Sequence, residues 1–228
     1  VQGLQPVQTP RCDDSGINPY NWLKIERKTV KLSVKGFDIY PEFLGVAGQR
    51  AVLAAVREVV SQAPFFRPET PSGKPMSVRM TAAGTHGWYS DKRGYRYIPK
   101  HPSGTHWPAI PDEVLEIWHK VTSLSRAPEC CLINYYNADA KMGLHQDSDE
   151  KNMDFPVVSI SLGDEGLFRM GNVTRGGKTE SIWLRSGDVV VMGGEARLAY
   201  HGIDRIRSGS SKLLPKGGRL NLTLRVVD

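Results

Sequence analysis

Residues 219–227 read RLNLTLRVV, and the alternation is strict. Leu220, Leu222, Leu224 and Val226 face one way while Arg219, Asn221, Thr223 and Arg225 face the other, as the two-residue period of an extended strand requires. An edge strand with one side in solvent would read the same way. The alternative is that two arginines, with an asparagine and a threonine between them, line a pocket for an acid. Six residues at ~3.3 Å set the two arginine Cα atoms about 20 Å apart. Long side chains leaning inward from both ends can then bracket a short dicarboxylate, one guanidinium per carboxylate. Arginine suits this because its planar fork pairs with a carboxylate through two parallel hydrogen bonds. Asn134 and Tyr136, two apart in CLINYY at 131–136, can add neutral hydrogen bonds to the same ligand.

Upstream of this strand, from Cys130 onward, short strand-like runs follow one another: 131–136, 156–163, 167–170, 181–185 and 188–193, with glycine turns such as GDEG and SGD between several of them. Many short strands with no helices alternating between them point to an antiparallel sandwich or barrel. The helical patterns come earlier. QRAVLAAVREVV at 49–60 places Val52, Leu53, Val56, Val59 and Val60 on one face, and a second helix begins at Pro111 and runs through Leu115 and Trp118. KLSVKGFDIY at 31–40 reads as a strand containing Gly36. The fold class that follows is mainly β with flanking helices (α+β), a double-stranded jelly roll behind a helical, loop-rich N-terminal part.

The chain has 228 residues, 39% of them apolar, enough for a core without covalent staples. Its formal charge is +6. Most of that excess lies between Pro64 and Trp107, where seven basic residues face two acids and Phe65, Phe66, Trp88, Tyr89, Tyr95, Tyr97 and Trp107 are interleaved. Cations that meet phosphates beside rings that stack on bases suit single-stranded or flipped nucleotides. A solvated basic loop with its rings in a core would look alike. Three cysteines, Cys130 and Cys131 adjacent, argue against a disulfide framework and suit a reducing compartment, cytoplasmic or nuclear. No run approaches the ~20 apolar residues of a membrane span. The chain opens on Val1 rather than methionine, which leaves a trimmed targeting segment, and so an organelle, open.

One stretch is out of keeping with a basic chain: HQDSDE at 145–150. In extended backbone His145 and Asp147 share a face. A third ligand must come from elsewhere, and RLAYHG offers His201 downstream. Two histidines and a carboxylate form the facial set of non-haem Fe(II) oxygenases, although zinc hydrolases use the same donors, so the ligands alone do not choose the metal. An isolated HxD is more often an exposed histidine and an unrelated core histidine.

HQDSDE, the later His201 and RLNLTLR, in that order, resemble the AlkB family of Fe(II)- and 2-oxoglutarate-dependent nucleic-acid dioxygenases, above all the bacterial DNA-repair type and its close eukaryotic relatives. The resemblance runs from about Phe43 to Val227 and includes PMSVRMT, GWYSDKRGYRY, CLINYY, PVVSISLG and SGDVVVMGGEARLAYHGI. It implies a jelly-roll core over 131–228, helices and a nucleotide-recognition lid over 36–130, and an N-terminal arm over 1–35 that has no counterpart in the family pattern. It implies Fe(II) held by His145, Asp147 and His201. The co-substrate 2-oxoglutarate would be held by Asn134, Tyr135, Tyr136, Arg219, Asn221 and Arg225, with Arg219 on the distal carboxylate and Arg225 nearer the metal. It further implies a flipped base stacked between Trp88 and His145, a phosphate gripped by Tyr95 with Arg96 and Tyr97, and Arg175 in a substrate-contacting loop. Asp149 would be a spare carboxylate favouring bases made cationic by methylation, with Glu150 a solvated surface charge. In the lid, TPSGKPM has Lys74 where the best-known bacterial pattern has tyrosine.

The implied activity is oxidative demethylation of N-alkylated bases such as 1-methyladenine and 3-methylcytosine in DNA or RNA, by a monomer, releasing formaldehyde, succinate and CO₂. The competing readings are an N6-methyladenine demethylase or another 2-oxoglutarate oxygenase on the same iron site, and a non-catalytic nucleic-acid-binding jelly roll.

Overall fold

A computed structural model describes residues 30–228, so the arm expected over 1–35 lies almost wholly outside the described residues. Thirteen strands and two α-helices follow: β1 (Leu32–Val34), β2 (Phe37–Tyr40), α1 (Val46–Gln62), β3 (Arg79–Gly84), β4 (Gly87–Asp91), β5 (Gly94–Ile98), α2 (Asp112–Thr122), β6 (Cys130–Tyr136), β7 (Met142–His145), β8 (Val157–Gly163), β9 (Glu165–Met170), β10 (Glu180–Leu184), β11 (Val189–Met192), β12 (His201–Arg207) and β13 (Arg219–Arg225). They form a seven-stranded sheet in the order β1-β2-β11-β8-β13-β6-β3, a four-stranded sheet β10-β9-β12-β7, and the separate hairpin β4-β5.

Every β13 residue is buried, and the strand lies at the middle of the large sheet between β8 and β6. This excludes the edge-strand reading. Its leucines Leu220, Leu222 and Leu224 join Val158, Ile160 and Leu162 of β8 and Ile133 of β6 against the helices, where Val52, Leu53, Val56, Val114, Ile117 and Trp118 close the cluster. The other face of the sheet meets the four-stranded sheet through a second cluster that includes Phe37, Met80, Leu132, Phe168, Met170 and Ile203. The two adjacent cysteines fall one in each cluster and both are free, as the alternation of a strand demands. The jelly roll is thus helices on large sheet on small sheet, and the polar side of β13 looks into the space between the sheets.

Three expectations change. The run 31–40 is a hairpin and not one strand, because Lys35 and Gly36 both adopt positive φ (49° and 79°) and turn the chain so that β1 pairs with β2. The helix expected at 49–60 extends over Val46–Gln62, and Pro111 precedes α2 as its cap residue, with Asp112 and Glu113 in the first turn.

Leu222 is fully buried between β13 and the helices. Leu222→Ala is expected to lower unfolding stability by about 2–5 kcal/mol, read as a shift in the urea midpoint at constant slope.

Candidate active site

β7 ends at His145 and β12 begins at His201, and the antiparallel ladder makes these two residues direct register partners. Asp147 follows two residues after β7 and is buried. One donor atom from each of the three lies within 4.8 Å of the others. The His145 Nε2 stands 3.7 Å from Asp147 Oδ1, and the His201 Nε2 stands 3.7 Å from Oδ2. Each Nδ1 faces a backbone carbonyl two residues upstream, Gly143 O at 2.9 Å and Ala199 O at 3.0 Å. A carbonyl only accepts, so the ring proton belongs on Nδ1 and the Nε2 lone pair is left for a metal. Burial pushes the His201 imidazole down to about 4, which keeps it neutral and able to ligate. Burial alone would raise the Asp147 carboxyl, but Arg225 and the two histidines outweigh it and hold the group well below the usual carboxylate range.

The large sheet supplies the opposite wall. Arg219 is 1% exposed, donates from Nη2 to Ser161 Oγ at 2.9 Å, and lies over the Tyr136 ring at 5.4 Å. Its Nε and Nη1 have no hydrogen-bond partner, and no carboxylate pairs with it among the described residues. Burial pulls this guanidinium below its ordinary value for want of an anion. Space for it depends on Gly166, where a Cβ would come within 2.9 Å of Arg219 Nε. The buried Asn134 Oδ1 is also without a partner. Asn221 lies between the arginines and donates to Ser159 Oγ at 2.7 Å. One cavity of about 550 Å³ is lined by His145, Asp147, His201, Asn134, Tyr136, Arg219, Asn221 and Arg225 together with Trp88, Tyr95 and Asp149. An anionic keto acid on Arg219 would pair its free Nε and Nη1, and a divalent cation on Asp147 and the two Nε2 atoms would engage the orphaned Asp147 Oδ2. The residues present therefore fit both groups.

Other expected residues are placed differently. Tyr135 points to the opposite side of β6 from Asn134 and Tyr136, packs with Phe65 and donates to Gly217 O at 3.2 Å, so it does not line the cavity. The strand period that brings its neighbours in takes it out. Arg225 is not a free counterpart of Arg219: its Nη2 is 2.9 Å from Asp147 Oδ2 and its Nε 3.2 Å from Glu150 Oε1, close ion pairs that are poorly aligned as hydrogen bonds. Glu150, expected in solvent, is 1% exposed at its side chain and accepts from Tyr97 Oη at 2.5 Å and from Arg197 Nη2 at 3.0 Å. Tyr97 is thereby turned inward, away from any phosphate. Arg96 pairs with Asp91 at 2.7 Å and covers the Tyr89 ring, so its charge is engaged within the hairpin. Only Tyr95, 51% exposed, stays at the mouth, stacked on Trp88 with 5.4 Å between centroids and 22° between planes. Trp88 Nε1 donates to Asp149 Oδ2 at 2.8 Å. Arg175 is exposed on the loop after β9 and outside the cavity lining, and Lys74 is exposed while Thr70 and Met76 of the same loop reach the cavity.

Three contributors escaped the sequence reading. Ser159 and Ser161 sit two apart inside an apolar run, a legible sign of an inward polar face. Arg197, buried at 4% and bonded to Asp147 O at 2.5 Å and Phe155 O at 2.8 Å, carried no such sign.

The 2OG-Fe(II) oxygenase superfamily model matches residues 36–225. An Alpha-ketoglutarate-dependent dioxygenase AlkB homolog of Caulobacter vibrioides is 52% identical over 193 residues, covering 84% of this chain and 88% of that protein. The Alpha-ketoglutarate-dependent dioxygenase AlkB of Escherichia coli is 40% identical over 175 residues, covering 75% and 81%. The solved structure of OsALKBH1 superposes with a TM-score of 0.72 at 28% identity, over 86% of this chain and 100% of that one.

A buried guanidinium waiting for an anion makes a distinctive forecast. Arg219→Met is expected to raise unfolding stability by about 1–4 kcal/mol, because it removes an uncompensated buried charge. It should also weaken 2-oxoglutarate binding on the order of 100-fold. Calorimetry of unfolding and of 2-oxoglutarate titration with Mn(II) present checks both directions at once.

Proposed function

We propose a substrate for a chain that belongs to the AlkB family of the 2OG-Fe(II) oxygenase superfamily and is an Fe(II)- and 2-oxoglutarate-dependent dioxygenase: N-alkylated bases, with 1-methyladenine and 3-methylcytosine foremost, in single-stranded or locally opened DNA or RNA. One observation carries it. The cavity that holds the metal-type triad and the unpaired Arg219 is the same cavity whose mouth presents an aromatic pair and an exposed carboxylate. A flat, cationic ring is the ligand such a mouth suits.

His145, Asp147 and His201 would hold the iron, and Arg219 with Asn134 the distal carboxylate of 2-oxoglutarate. When bound, Fe(II) with 2-oxoglutarate and O₂ supplies the oxidation that hydroxylates an N-methyl group, with succinate and CO₂ formed and formaldehyde lost from the hydroxymethyl product. The chain's own part is placement. Trp88 offers a ring face, the His145 ring lies within the same cavity, and a base must leave its stack to reach them. Asp149 fixes the indole through Oδ2, and the second oxygen of that carboxylate is available to a base whose ring carries positive charge. Buried Phe168 and Met170 beside His201 keep water from its far side. Lys92 and Arg93 at the exposed tip of the β4-β5 hairpin are the phosphate-facing cations in this reading, Arg93 already leaning on Asp91.

The E. coli and Caulobacter relatives support the reaction class by their names. Two free buried cysteines support a reducing compartment, cytoplasm or nucleus. Among the described residues no helix is long and apolar enough to cross a membrane.

His145→Ala is expected to abolish formaldehyde release from a 1-methyladenine oligonucleotide while leaving its metal-free binding within about threefold. Retained turnover would overturn the ligand assignment. Asp149→Ala should cost about 10- to 100-fold in kcat/KM on 1-methyladenine, the worth of a charge-assisted contact, and much less on neutral 3-methylthymine. Equal losses on the two bases would remove its discriminating role.

A further inference from the structure

Glu150 links the β4-β5 hairpin to the arginines that surround the triad. Its Oε1 accepts from the Tyr97 hydroxyl, which comes from β5 of the hairpin, at 2.5 Å. The same oxygen lies 3.2 Å from Arg225 Nε of β13, and Oε2 takes Arg197 Nη2 at 3.0 Å. Both arginines then converge on one residue. Arg225 Nη2 stands 2.9 Å from Asp147 Oδ2, and Arg197 Nη1 donates to the Asp147 backbone carbonyl at 2.5 Å. All four side chains between hairpin and triad are at most partly exposed, with Glu150 and Arg197 at 1% and 4%.

The consequence is mechanical. Neither oxygen of Glu150 can move without shifting an arginine that holds Asp147: Oε1 lies against Arg225, which meets the Asp147 side chain, and Oε2 against Arg197, which meets its main chain. Tyr97 is the hairpin's direct hydrogen bond into this group, for β4 and β5 form their own two-stranded sheet. A cation that fixes Asp147 fixes the arginines, the arginines fix Glu150, and Glu150 fixes the height at which Tyr97 seats the hairpin. The rings that flank the base, Trp88 and Tyr95, sit on that same hairpin.

We propose that Glu150 is a positioning residue that couples occupation of the His145–Asp147–His201 centre to the seating of the β4-β5 hairpin, through Arg225 and Arg197 on one side and Tyr97 on the other. The proposal rests on the nucleic-acid reading above. Linkage makes the coupling reciprocal: a divalent ion tightens oligonucleotide binding by the factor by which the oligonucleotide tightens the ion.

The test needs no turnover. A fluorescent single-stranded oligonucleotide bearing one 1-methyladenine is titrated by anisotropy under nitrogen, with and without Mn(II) and 2-oxoglutarate. The native protein is expected to bind at least about fivefold more tightly with Mn(II), the lower end of ordinary coupling between sites. Tyr97→Phe, which removes one hydroxyl and keeps the ring, should bring that ratio below about twofold with an unchanged melting midpoint. Glu150→Gln should do the same and also weaken Mn(II) itself about 10- to 100-fold, as loss of a supporting partner around a metal site does. An undiminished ratio in Tyr97→Phe, or no ratio in the native protein, overturns the coupling. Absence of any oligonucleotide binding overturns the substrate reading instead.

Discussion

A guanidinium sealed between two β-sheets without an anion is an expensive object, and the arrangement of this protein follows from holding one. Desolvation of a charge costs several kcal/mol unless a partner is supplied, and Arg219 has a serine hydroxyl and an aromatic face but no acid. The sheet can sustain this because the other side of the same strand is wholly apolar. Leu220, Leu222 and Leu224 are sandwiched under α1 and α2, and each fully buried leucine contributes on the order of 2 kcal/mol. The helices therefore matter to the chemistry although none of their side chains lines the cavity: they let a half-polar strand occupy the centre of the sheet.

The same period-two rule made much of the site legible from sequence. Arg219, Asn221, Thr223 and Arg225 face inward as the alternation requires, with Ser159 and Ser161 opposite Thr223 and Asn221 in register. His145 and Asp147 converge for the related reason that two residues of extended chain restore the facing. The rule also exposes its own misuse at Tyr135, which lies between two cavity residues and must point away. Partners were not legible. Nothing in HQDSDE says that Asp149 stays at the mouth while Glu150 is enclosed by Arg197 and Arg225, because those arginines arrive from distant parts of the chain, the turn after β11 and the strand β13. Nor does GWYSDKRGYRY reveal that Asp91 claims Arg96, which removes a charge that the sequence offers to phosphate. The pairing of His201 with His145 is a tertiary fact of the same kind, made by a β7-β12 ladder whose register shifts just beyond it, yet the ordered motif was enough to anticipate that the two histidines meet.

Electrostatic balance accounts for the division of labour among the charged groups. Asp147, Glu150, Arg197 and Arg225 form a buried set of two acids and two bases, neutral as a whole, and His201 is kept neutral by burial. That leaves Arg219 as the buried charge without a counter-ion. A divalent ion on the triad raises the positive excess to three charges, and the two carboxylates of 2-oxoglutarate lower it to one.

The remaining positive charge would repel a methylated cationic base, and in the proposed reading Asp149 would offset it. It stands outside the neutral set, exposed, hydrogen-bonded to the indole that would stack on the base. A carboxylate placed among the arginines would have been neutralised by them, whereas at the rim it is screened by solvent but still presents its sign to whatever enters. The internal acid Glu150 and the rim acid Asp149 are adjacent in sequence and opposite in use. One is enclosed by Arg197 and Arg225 and the other is left wet at the mouth, so in the proposed reading the first sets geometry and the second selects charge.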